Sequence, residues 1–121
     1  MITGTVVSRR PTVSLVVHGP NGQEAVVEAL VDTGFNGFLT LPPSAVVALA
    51  LPFWSYFRAN LADGSGVRMA VHTAVVIWDG AERDVEVLVT NRTPLLGTAL
   101  LNGHEVIIRF AEGDLITIQP L

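Results

Sequence analysis

The chain has 121 residues, half of them hydrophobic and 15% charged, with a formal net charge of -4. Its length suits one domain, residues 1–121, with a well-filled core. The acidic balance, pI about 5.1, gives no basic footprint for nucleic acid or anionic lipid. The absence of cysteine excludes disulfides, thiolate metal sites and a cysteine nucleophile.

The opening Met1-Ile2-Thr3-Gly4 lacks a basic stretch followed by an apolar one, and no apolar run reaches the length of a membrane span. A cytoplasmic protein is the expectation. The mean hydropathy of +0.51 is high for a soluble domain, which points to apolar surface buried between subunits.

Residues 5–7 form a short β-branched run that Pro11 interrupts, and residues 13–17 read as a better strand. Residues 18–23 are dense in turn formers, with Asn21-Gly22 a hairpin signal. Residues 25–31 return as the partner strand. After a loop at residues 35–37, residues 38–41 suggest a short strand. Residues 44–51 are the one convincing helical window, opened by Pro42-Pro43, closed by Pro52, and apolar on most sides.

Residues 53–61 are rich in aromatics: Phe53, Trp54, Tyr56 and Phe57. The glycine-rich turn Ala62-Asp63-Gly64-Ser65-Gly66 follows. Residues 67–78 make one long strand or two, ended by a tight turn at Asp79-Gly80. Residues 83–90 alternate, with Asp84 and Glu86 outward and Val85, Val87 and Val89 inward. Residues 98–102 suit one helical turn. Residues 105–110 and 115–119 are two final strands, the second expected as an exposed sheet edge in a monomer. Many short strands between glycine turns mean an all-β closed sheet, a β-barrel with one or two short helices.

The chemistry concentrates at Ala29-Leu30-Val31-Asp32-Thr33-Gly34. An apolar strand here runs straight into an acid, which must sit at the rim of the core and be compensated by hydrogen bonds or a proton. Thr33 offers a hydroxyl, and Gly34 lets the backbone turn where a side chain would clash.

This stretch resembles the active-site loop of aspartic proteases. Leu30-Val31 precedes the acid as that family's pattern requires, and Leu95-Leu96-Gly97 matches its second signature. Their order, and a separation of roughly sixty residues, suit the single-lobe, retroviral-type (retropepsin-like) members. The resemblance runs over about residues 13–118.

The resemblance implies a homodimeric endopeptidase of acid-protease barrel fold that acts on a peptide or protein substrate. Each chain would supply one catalytic acid, Asp32, and the two facing carboxyls would share a proton and activate a water. Thr33 would brace the partner's loop and Gly34 would present its N–H to the carboxylate. Gly97 would let the segment after Leu96 pass close beneath. Asp63, Gly64, Ser65 and Gly66 would tip a flap over the substrate. The dimer interface would use the Asp32 loop and the chain ends.

No cofactor is implied. His18, His72 and His104 show no ligand spacing, and Ser44, Ser55 and Ser65 lack a nucleophile-elbow setting. The chain departs from the family at Phe35, where many members carry Ser or Ala. That leaves a second reading open, a retropepsin-like domain of weak or no activity that serves as a dimerisation or peptide-binding module.

Overall fold

A computed structural model describes all residues, 1–121. Strand β1 (Ile2–Val7) turns into β2 (Arg10–His18) through Ser8 and Arg9, whose φ angles are 51° and 62°. A two-residue loop with both residues in the left-handed region matches the twist of the strands it joins. Pro11, expected to interrupt this region, lies inside β2, opposite Val6. Val6 directs its N–H to the Asp114 carbonyl and its own carbonyl to the Gly113 N–H, at 3.0 and 2.8 Å. The N–H that proline lacks is therefore not needed at this pair.

Strand β3 (Glu24–Val31) runs back along β2, from His18↔Glu24 to Thr12↔Leu30. Strand β4 (Leu39–Leu41) leads into helix α1 (Pro43–Ala48), shorter than the expected residues 44–51. Ala50 takes φ 50°, while the Ala50 N–H donates to Val47 O and the Leu51 N–H to Val46 O. That is a Schellman stop, reinforced by Pro52, which disfavours helical geometry at Leu51.

Strand β5 (Phe53–Asn60) pairs with β6 (Gly66–Trp78), a single 13-residue strand, and β6 with β7 (Ala81–Val89) around Asp79 and Gly80. Phe53, Trp54, Tyr56 and Phe57 are all exposed on β5. Strand β8 (Leu95–Leu96), helix α2 (Thr98–Leu101), β9 (His104–Ile108) and β10 (Leu115–Pro120) complete the chain. No helix is long and apolar enough to cross a membrane.

All ten strands join one sheet in the order β5-β6-β7-β4-β8-β3-β2-β1-β10-β9, and β6 also pairs with β2. The pairings β6-β7-β4-β8-β3-β2-β6 therefore close a ring. The chain is all-β with two short helices. A cluster of 22 buried residues fills it, with Val13, Val17, Leu39, Leu41, Val76, Val87, Leu96, Leu100, Ile116 and Ile118 fully buried. Each such side chain contributes roughly 1.5–3 kcal/mol by leaving water.

One expectation is overturned here. Strand β10 is not an edge: β1 covers one side and β9 the other. The edges of the sheet are β5 and β9. Strand β9 also stops at Ile108, before the expected residue 110, where the Arg109–Asp114 ion pair closes the turn into β10.

Candidate active site

Val31 is buried, Asp32 half-buried, and Thr33 and Gly34 exposed, so the chain leaves the core within three residues. Strand β8 lies parallel to the end of β3, with Leu30↔Leu95 and Val31↔Leu96. The Leu30 N–H donates to Pro94 O at 2.8 Å and the Asp32 N–H to Leu96 O at 3.0 Å. The Gly34 N–H donates to Asp32 Oδ1 at 2.8 Å, and the Phe35 N–H to Asp32 O at 3.2 Å. The carboxylate is thus held by a local turn of the kind aspartate favours.

The start of α2 is bonded to the loop that follows. The Gly97 N–H donates to Phe38 O, Thr98 N–H to Phe35 O and Ala99 N–H to Gly37 O, at 3.0, 2.8 and 3.1 Å. This closeness explains the glycine. A Cβ on Gly97 would lie 2.1 Å from Gly37 O and 2.6 Å from Phe35 Cδ2. The Phe35 ring occupies the space that two glycines leave: a Cβ on Gly37 would stand 2.5 Å from Phe35 Cζ. Phe35 is thereby seated against Gly37 and Gly97, and the Gly34 contact to Asp32 persists beside it.

Two supports have no counterpart in the sequence reading. Thr40, 2% exposed, accepts the Leu95 N–H on its hydroxyl at 2.8 Å, which ties β4 to β8. A hydroxyl amid the apolar run Phe38-Leu39-Thr40-Leu41 was the signal. Arg83 donates to the carbonyls of Ala99 and Leu100 at 3.2 and 3.3 Å, satisfying the end of α2.

Residues 61–65 form the exposed tip of the β5–β6 hairpin. Asp63 Oδ1 accepts the Ser65 hydroxyl at 2.6 Å and the Ser65 N–H at 2.9 Å. These two bonds, the hydroxyl first, hold the Asp63 carboxyl below its ordinary value of 3.8. Gly64 carries φ 87°, which a side chain would strain. Gly66 begins β6 at the base of the tip.

A cleft of about 470 Å³ opens beside the loop. Residues 34–39 form one wall, and Phe57, Val71, Glu86 and Leu88 the other. The loop after Asp32 and the arm of the hairpin therefore face a common space. The histidines are dispersed: His18 Nε2 is 3.1 Å from Glu24, His72 donates to Leu51 O, and His104 accepts from Trp78 Nε1.

Among solved structures, the chain is similar to the EIAV protease complexed with the inhibitor HBY-793, with a TM-score of 0.56 and 18% identity. The match covers 78% of this chain and 86% of that one. The fold is retropepsin-like. No family model matches the chain, and no curated protein sequence matches it. At this identity the likeness is one of fold, and the site rests on its own geometry.

Proposed function

We propose that two copies of this chain pair about the Asp32 loop to form an aspartic endopeptidase. The observation that carries this reading is the placement of Asp32. Its half-buried carboxylate is oriented by the Gly34 N–H, at the end of a strand anchored by Leu95-Leu96, two residues before the segment 34–39 that lines a cleft shared with a hairpin arm.

The chemistry needs two such acids. Two carboxyls brought together across a two-fold axis share one proton. The ionised member takes a proton from a bound water as the water oxygen bonds to the scissile carbon, and the protonated member passes its proton to the carbonyl oxygen. A tetrahedral diol forms with no covalent link to the protein, and the C–N bond then breaks as a carboxyl returns a proton to the leaving amine. Thr33, exposed beside the acid, reaches toward the partner's loop, and Gly97 keeps α2 tight beneath. Asp63, Gly64, Ser65 and Gly66 form the flap tip that lowers over an extended peptide held by strand pairing. Residues 1–121 act as one domain, in the cytoplasm.

The rival reading, an inactive dimerisation or peptide-binding module, draws on Phe35. The seating of that ring against Gly37 and Gly97 favours the active reading, because it leaves the Asp32 turn intact. Cleavage of a mixed peptide library across pH, with pepstatin-type inhibition as control, is the test. Asp32→Asn should fold normally, since an amide oxygen still accepts the Gly34 N–H, and should lose cleavage by about a thousandfold or more. Wild-type rates in that variant would remove Asp32 from the mechanism. A wild type that binds peptides but cleaves none would establish the module.

A further inference from the structure

A second opening of about 540 Å³ adjoins the first and shares Phe38 and Glu86 with it. Six residues line it: Phe38, Trp54, Thr73, Asp84, Val85 and Glu86. The local sequence explains how they meet. Val85 and Val87 face the core from β7, so the pleat turns Asp84 and Glu86 to the outer face. Thr73 stands opposite Glu86 on β6. Trp54 is the extra residue where the β5–β6 register shifts between Phe53 and Ser55. A bulge of this kind re-aims a side chain, and here the indole reaches the cleft.

Neither carboxylate has an ion-pair partner within the chain. Its ion pairs are Met1–Asp79, His18–Glu24 and Arg109–Asp114, and none involves Asp84 or Glu86. Arg83 is adjacent, with its guanidinium 5.7 Å from the Phe38 ring, and it donates to the carbonyls of Ala99 and Leu100 in α2 while forming no ion pair with either acid. Two carboxylates two residues apart on one strand face sit roughly 7 Å from each other. A cation between them relieves their repulsion. An anion is repelled, and an apolar group strips water from the acids without replacing it. Aromatic rings beside carboxylates suit a flat, delocalised cation on an apolar stem, which stacks on the rings and bonds the acids.

We propose that this cleft binds an arginine side chain of the peptide lying in the adjoining cleft. The assignment rests on the peptidase reading and names its substrate class: peptides with an arginine displaced from the scissile bond. In a two-fold dimer the cleft occurs twice. The preference therefore falls at two positions, equally distant from the scissile bond on its two sides.

The test pairs peptides that carry arginine or citrulline, its neutral near-isostere, at each position in turn. For the wild type, kcat/KM should favour arginine by about tenfold at the matched positions. The double variant Asp84→Asn with Glu86→Gln should bring that ratio to about one, and Trp54→Ala should lower it in part. All three side chains are exposed, and circular dichroism with thermal melting checks that the variants fold. A lysine peptide preferred over arginine at these positions would overturn the guanidinium assignment.

A binding arm separates this inference from the peptidase reading. Fluorescence anisotropy with the Asp32→Asn protein should show the arginine peptide bound about tenfold tighter than the citrulline peptide, less so as salt rises. If no peptide is cleaved but this preference exists and is lost in the Asp84/Glu86 variant, the peptidase reading falls and the arginine cleft stands. Equal handling of arginine and citrulline in both assays overturns the cleft whatever the cleavage result.

Discussion

At Gly97 a side chain has nowhere to go, since its Cβ would press on the Gly37 carbonyl and the Phe35 ring together. Backbone cannot yield as a flexible side chain does. Gly97→Ala should therefore cost about 2–4 kcal/mol, read as a lower denaturation midpoint at unchanged slope. A variant as stable as wild type would mean that α2 does not press on the loop. Asp63 gives a prediction of a different kind. Its carboxyl lies below 3.8 in the folded chain because Ser65 bonds its charged form. A depressed folded value stabilises the tip above the unfolded value, and that help is lost as pH falls through the folded one. The Ser65 amide resonance should titrate with a midpoint below 3.8, and Asp63→Asn should abolish the titration. A midpoint at or above 3.8 would deny the bonds to Ser65. At this scale the sequence is most informative where conformation is local. Asp32-Thr33-Gly34 announces a turn at a strand end, and Asp63-Gly64 a hairpin tip. Thr40 and Arg83 escape notice because their partners, Leu95 and α2, lie far along the chain.

Elements here end where one residue accepts an awkward conformation. Helix α1 stops because Ala50 enters the left-handed region and lets Ala50 and Leu51 cap the last turn. Glycine takes that conformation without a Cβ penalty. Ala50→Gly should therefore stabilise the protein by about 0.5–1 kcal/mol, visible as a raised melting temperature. A destabilised variant would show that the Ala50 methyl, not its backbone, matters there. The same logic explains two misreadings. The helix is expected to run three residues too far, to Leu51 and not Ala48, because Leu49, Ala50 and Leu51 are good helix formers by composition. The hairpin at Ser8 and Arg9 is missed because neither is the glycine or asparagine that usually marks such a turn, whereas Asp79-Gly80 is legible for that reason. The alternation on β7 is equally legible, because one buried face imposes a period of two.

At the scale of the whole molecule, closure of the ring accounts for a well-filled core in so short a chain, and it leaves edges at β5 and β9. Composition and glycine spacing convey the all-β class. The strand order does not emerge, because β1, β10 and β9 meet through long-range pairing that no local pattern marks. That order bears on assembly. β1 and β10 pair with each other inside one chain, and the proposed dimer would bring together the Asp32 loops and surfaces near them. Its two halves should exchange on mixing. Wild-type chains are therefore incubated with an excess of Asp32→Asn chains, and cleavage is followed as the chains re-pair. If each active unit needs an acid from both chains, mixed dimers are dead. A ninefold excess should then leave roughly one-tenth of the activity per wild-type chain. Activity should also rise faster than linearly with protein concentration near the dissociation constant. Cleavage per wild-type chain that ignores the excess, at concentrations where exchange is complete by a labelled-chain assay, would mean that a single chain carries the whole reaction. The shared-proton mechanism at Asp32 would then be untenable.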